Sequence, residues 1–297
     1  MIGPMEEDQT IYVTGGRGRV ARTLADNPRF QGRLVRISRL GGDGMPALDD
    51  WLAGSAEINS AGVVLHAAWS SVPASAEEAP PGAESADLEI AERLVDRLQA
   101  QERPPLLMFI STGAVYGPTA GRPSREDDPL RPVGRYAAAK LAAENLLLTS
   151  GLPVCILRPG NLFGIASSAG DRQGVIARLA RCALAGHPFE RWGTNPVKDY
   201  LHAEDFAAAL DRLSAMRATG IWNIASGRPA GLDELVATVE STTGRRLNMV
   251  ARPAPVWDAT DNRLDVTKLL ASGWHPQISL AEGIAREVAV VARDTAS

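Results

Sequence analysis

An α/β fold built on a doubly wound parallel sheet, with a smaller C-terminal α/β substrate domain, is what this sequence predicts, and three observations carry the prediction. A short apolar run at residues 10–13 (TIYV) leads straight into the glycine turn Gly15-Gly16-Arg17-Gly18-Arg19-Val20 and then into a helical run. That strand–turn–helix order is the context a dinucleotide fingerprint requires. Apolar strand-like runs then alternate with helical ones as far as residue 164, the pattern of parallel strands joined by crossover helices, here of Rossmann type. In the Ala-rich run RYAAAKLAAENLLLTS, Tyr136 and Lys140 stand four residues apart, so a helix places them one turn apart on one face.

In the first turn Gly15 permits the tight bend, Gly18 lets the backbone approach a pyrophosphate, and Ala21 supplies close helix-to-strand packing. Gly16, Arg17, Arg19 and Val20 complete the expected cofactor cradle. A second strand, residues 34–39, ends on Ser38-Arg39, where a carboxylate would otherwise bond the adenosine ribose. A guanidinium with a neighbouring hydroxyl would bind a 2′-phosphate instead, and Arg17 could add a second donor. This favours NADP(H), with NAD(H) possible.

Residues 41–45 form a Gly-rich loop expected to be mobile, and residues 49–59 a short helix and turn. Residues 62–68 (GVVLHAA) read as a buried strand entering a small-residue loop, which places His66, Ala67 and Ala68 beside the cofactor. His66 is expected there as a structural polar plug. Residues 73–82 (PASAEEAPPG) read as a polar, Pro-rich loop. Residues 84–101 read as an amphipathic helix with Leu88, Ala91, Leu94, Val95 and Leu98 on one stripe. The strand at 106–110 (LLMFI) delivers Ser111 and Thr112 at its C-terminal end, where open α/β sheets bind ligands. After the polar loop 121–132 and the helix 136–150 comes a strand at 154–157, leading into Arg158 and Asn161. Beyond it the alternation loosens. Helices are expected at 176–184, 203–216, 232–243, 265–272 and 280–293, and strands at 189–194, 199–202 and 221–225. The predicted division is a dinucleotide-binding domain at 1–164 and a substrate domain at 165–297, with residues 197–205 and 221–226 returning to the first.

With 45% hydrophobic and 22% charged residues over 297 positions, the chain can bury a full core. A net charge of −4 gives no nucleic-acid footprint. Two cysteines, Cys155 and Cys182, fit neither a disulfide framework nor a metal site, and Cys155 lies in an apolar run as buried packing. No apolar run reaches the length of a membrane span, and residues 1–9 lack the basic start and apolar middle of a signal peptide. A cytoplasmic protein is expected.

A free tyrosine loses its proton at about pH 10. An ammonium one turn away favours the phenolate, and a cationic nicotinamide ring favours it further. Such a tyrosine can exchange a proton with a carbinol or ketone, with Thr112 holding the same oxygen.

With these residues in view, the chain resembles the extended short-chain dehydrogenase/reductase family, the NAD(P)-dependent nucleotide-sugar epimerases and dehydratases. The resemblance runs over nearly the whole length. It includes the glycine turn, His66-Ala67-Ala68, the run from Ser111 to Gly117, Tyr136 with Lys140, and the run from Arg158 to Gly164. It continues through Lys198-Asp199-Tyr200-Leu201-His202, Trp222-Asn223-Ile224-Ala225 and Leu264-Asp265-Val266-Thr267-Lys268. It implies Thr112 and Tyr136 as catalytic residues, and Lys140 as the residue that lowers the tyrosine and holds the nicotinamide ribose. Arg158 is expected beside the cofactor, and Ala114, Asn161, Tyr200 and Arg263 beside the substrate. The helices at 84–101 and 136–150 resemble the pair that forms a four-helix homodimer interface.

Departures from the family narrow the chemistry. The 4,6-dehydratases carry an Asp-Glu pair directly after the catalytic threonine, where this chain has Gly113-Ala114. The GDP-fucose synthases place a cysteine at the position of Ala114, but share an arginine in the glycine turn and use NADPH. The expectation is an NADPH-dependent 4-ketoreductase acting on a nucleotide-activated sugar. The alternative is a 4-epimerase with tightly bound NAD. A non-catalytic NADP(H) sensor or scaffold is a third reading, against which the complete set of Thr112, Tyr136 and Lys140 argues.

Overall fold

A computed structural model describes residues 9–54, 58, 62–80, 82–119, 121–165, 174–193, 195–253 and 261–296. Residues 1–8, parts of the turn expected before residue 59, and residue 194 at the end of an expected strand lie outside the described residues. The first half comprises β1 (Ile11–Thr14), α1 (Arg19–Asp26), β2 (Leu34–Ile37), α2 (Leu48–Leu52), β3 (Val63–His66), α3 (Pro73–Glu78), α4 (Ser85–Gln99), β4 (Leu106–Ile110), α5 (Arg135–Leu148) and β5 (Val154–Pro159). The second comprises β6 (Asn161–Phe163), α6 (Val175–Ala185), β7 (Phe189–Trp192), β8 (Val197–His202), α7 (Ala203–Ala215), β9 (Gly220–Ile224), β10 (Pro229–Gly231), α8 (Leu232–Thr243), β11 (Met249–Arg252), β12 (Asp261–Asn262), α9 (Thr267–Ala271) and α10 (Leu280–Ala296).

Six parallel strands form the main sheet in the order β2-β1-β3-β4-β5-β9. The chain first steps from β1 to β2 and then returns to the other side of β1, so the crevice at the C-terminal ends of β1 and β3 is the topological switch point. Each strand's alternation feeds two cores. Ile11 and Val13 pack with α1, α7 and Trp274 on one face, while Tyr12 packs with Trp51, α4 and α5 on the other. Because both faces are covered, β3, β4 and β5 are buried at every residue. Helix α5 turns Ala137, Ala139 and Ala143 inward, and those small side chains let its axis lie close to the sheet.

The second half builds its own core from α6, α8 and α10 around Phe163, Phe189 and Tyr200. There β8 is flanked by β10 and β12, with β6 also paired to it, apart from the main sheet, whereas β9 is the main sheet's sixth strand. Helix α7, which follows β8 directly, packs under the main sheet.

One local expectation is corrected. Residues 73–78 are helical, not loop. Pro73 suits the first helical position, and Ser75 bonds back to the Val72 amide, so residues that read as loop composition instead start a helix. Residues 41–45 close a compact turn, with the Met45 amide donating to Gly42 O and the Ser38 amide to Pro46 O.

Candidate active site

The glycine turn forms a cradle with no room for side chains. A Cβ on Gly15 would meet the Ala68 backbone at 2.9 Å, and one on Gly16 would meet Arg36 Cβ at 2.9 Å. Helix α1 begins after Gly18 with no side-chain cap, so its first amides stay available for an anion. A dinucleotide's pyrophosphate fits this bare, glycine-lined helix start. On the far wall, Thr14 Oγ1 lies 2.8 Å from His66 Nδ1 and accepts from the Ala68 amide. Burial, reinforced by the charge of Lys140, lowers His66 to about 3, so it is a neutral ring. Its buried Nε2 has no hydrogen-bond partner.

At the end of β2, Ser38 is buried, and its hydroxyl donates to Gly41 O. Arg39 is exposed. Arg17 reaches across the mouth of the crevice and donates to Gly41 O at 2.8 Å and to Asp43 at 2.9 Å.

At the end of β4, Thr112 caps a single turn of 3₁₀ helix, Gly113–Tyr116, by accepting from the Ala114 amide. Its own O–H remains able to donate. Thr112, Ala114, Tyr136 and Asn161 line one cleft, together with Glu77, Lys198 and Asn262. Glu77 also accepts from the Arg135 amide at the start of α5. No sequence pattern marked this carboxylate as a neighbour of Tyr136, because the α3 helix that carries it read as loop.

Lys140 lies below Tyr136. Its ammonium donates to Ile110 O at 2.8 Å and sits 3.9 Å from the Trp69 ring centroid. Burial pulls its pKa down to about 7, against the raising charges of Asp87 and Glu144. Tyr136 moves the other way: burial, assisted by the Asp87 carboxylate, pushes it up to about 12. The expected lowering of Tyr136 by Lys140 is therefore absent here. The ammonium is turned toward Trp69 and stands 6.0 Å from the tyrosine ring centroid. Asp87, unremarked in the sequence, is buried and accepts from the Ser70 amide and hydroxyl.

Three further expected site residues are engaged elsewhere. Arg158 is buried in a fork on Glu144, with Nη2–Oε2 at 2.6 Å, and also donates to the Tyr116 hydroxyl. Its guanidinium ties β5 to α5. Tyr200 is packed in the second core. Arg263 forks onto Asp261 at 2.8 and 2.9 Å, and its neighbour Asn262 lines the cleft instead.

The glycine cradle and the Thr112–Tyr136 cleft lie together at the C-terminal edge of the main sheet, and the profile of the NAD dependent epimerase/dehydratase family matches residues 11–225. The chain belongs to this family. Its members of the extended short-chain dehydrogenase/reductase type include the two relatives compared in sequence. The UDP-glucose 4-epimerase of Mycolicibacterium smegmatis is 30% identical over 185 residues, covering 60% of this chain and 59% of that enzyme. The GDP-6-deoxy-D-mannose reductase of Pseudomonas aeruginosa is 30% identical over 209 residues, covering 64% of this chain and 67% of that one. The matched stretch thus spans less than two thirds of the epimerase's length. In three dimensions the chain superimposes on the UDP-glucose 4-epimerase of Thermotoga maritima with a TM-score of 0.85 at 23% identity, over 97% of this chain and 100% of that one. Among the described residues no helix is long and apolar enough to cross a membrane, and no cluster of side chains could hold a metal ion.

Proposed function

We propose that the protein is an NADP(H)-dependent ketoreductase that reduces a keto group, at C4, of a nucleotide-activated sugar. The observation that carries this reading is the convergence of Thr112 and Tyr136 on one cleft while Gly113 and Ala114, the two lining residues directly after Thr112, bear no acid. A Cβ on Gly113 would stand 3.0 Å from Leu264 Cδ1, so a side chain there requires Leu264 to shift, and the cleft's carboxylate, Glu77, already accepts from the Arg135 amide.

The bound nicotinamide would supply the hydride. Tyr136, held as the neutral phenol, gives its proton to the oxygen of the developing alkoxide. Thr112 donates a hydrogen bond to that same oxygen. Lys140 would hold the nicotinamide ribose from beneath the tyrosine. Asn161, in the same cleft, orients the sugar. His66, neutral and buried, packs under the cofactor and takes no part in proton transfer. Helices α4 and α5 would form the contact of a homodimer, and the protein would act in the cytoplasm.

A 4-epimerase with tightly held NAD is the second reading, favoured by the carboxylate of Asp43 at the mouth of the crevice. Denaturing freshly purified protein and identifying the released dinucleotide separates the two. Little bound cofactor and tighter binding of NADPH than NADH support the reductase. Stoichiometric NAD(H) that resists exchange sinks it in favour of the epimerase. Retention of NADP(H) without turnover of any nucleotide keto-sugar would leave only a sensor.

A further inference from the structure

We propose that Asp43 is an internal competitor for the cofactor's 2′-phosphate: its carboxylate occupies the guanidinium of Arg17, and NADP(H) binds by displacing it. The proposal rests on the reading of Arg17 as the 2′-phosphate ligand.

The loop that follows β2 is shaped to make this contact. Gly41, Gly42 and Gly44 all have positive φ, and so does Asp43 itself, at 52°. Among the described residues only Asp43 and Arg217 do so without being glycine, a conformation that aspartate tolerates better than most side chains. Ser38 pins the loop to the sheet by donating to Gly41 O from a buried position. Arg17 then lies across the loop, within 3.2 Å of where a Cβ on Gly42 would be. The consequence is that the acidic residue missing at the end of β2 is restored in space four residues beyond Arg39, opposite the glycine turn.

A guanidinium can fork onto a carboxylate or onto a phosphate. Two anions crowded on one guanidinium repel, so the carboxylate must swing away when a 2′-phosphate arrives. Both side chains are mostly open to solvent, 56% for Arg17 and 76% for Asp43. The pair is therefore weak and salt-sensitive, and Asp43 sets the margin between the two dinucleotides without blocking either.

The test is fluorescence titration of NADPH and NADH into stripped wild-type protein, D43N, R17M and the double variant R17M/D43N, at low and high salt. Loss of a surface ion pair predicts NADPH binding about two- to fivefold tighter in D43N at low salt. NADH binding should stay unchanged, which also reports that the variant is folded, and the gain should shrink at high salt and vanish in the R17M background. D43G, which relieves the positive φ, should behave as D43N does. An unchanged NADPH affinity in D43N and D43G overturns the proposal. So does weaker NADH binding, which would make Asp43 a ligand of the adenosine ribose. Should wild type bind NADH more tightly while D43N still tightens NADPH alone through Arg17, the competitor stands and the NADP(H) reading falls. Should wild type prefer NADPH while D43N does nothing, the reverse holds.

Discussion

The ammonium of Lys140 rests 3.9 Å from the centroid of the Trp69 ring, in a chamber closed by the Ile110 carbonyl and the Phe109 ring. Besides Tyr136 and Glu144 on its own helix, the titratable groups facing it are Asp87 from α4 and His66 from β3. Desolvation dominates and lowers the lysine from 10.5 to about 7. The unfolded chain then binds more protons than the folded one between those values, so folding stability rises with pH across that window. Tyr136, raised to about 12, works in the opposite sense above the ordinary tyrosine value. Chemical denaturation of the stripped protein between about pH 7.5 and 9.5 should show increasing stability. K140M should flatten the slope, and a wild-type profile as flat as that of K140M would refute the buried, depressed lysine.

Asp87 raises both Lys140 and Tyr136 by its charge. In D87N both groups should therefore titrate lower than in wild type, and the rising limb of the stability profile should begin at a lower pH. The asparagine keeps an acceptor for the Ser70 amide, so the loop after β3 should survive the change. An unshifted profile would show that Asp87 only ties down that loop.

The Arg158–Glu144 pair is fully enclosed, with side chains 1% and 0% exposed. Removing the arginine strands a buried carboxylate, which costs about 3–5 kcal/mol. R158L should lose about that much in urea unfolding, and R158L/E144L should recover part of it. Dinucleotide affinity, measured where R158L is folded, should stay near wild type. A large and selective loss of affinity with little loss of stability would return Arg158 to the cofactor site.

What could be read directly from the sequence is what depends on neighbours along the chain. The strand, glycine turn and helix at residues 11–26 are local, as is the one-turn spacing of Tyr136 and Lys140. The buried strands β3 to β5 announce themselves as unbroken apolar runs. Helix α3 did not, because proline, serine and alanine at a helix start resemble a loop. Asp43, Trp69, Glu77 and Asp87 reach the crevice through turns and packing that span tens of residues, and no spacing rule links them to Tyr136 or Arg17. Arg158 and Tyr200 show the converse. Each sits in a motif beside the site, yet the fold turns its side chain into a core.

The central claim is that Tyr136 gives the proton in a reduction carried out in this cleft, and single-turnover oxidation of NADPH at 340 nm in the presence of a nucleotide-linked 4-keto-sugar tests it most directly. Wild type should oxidise one equivalent, and Y136F should slow the step by about 10²–10⁴-fold, the usual contribution of a positioned acid, while binding NADPH as wild type does. Equal rates in wild type and Y136F would contradict the account.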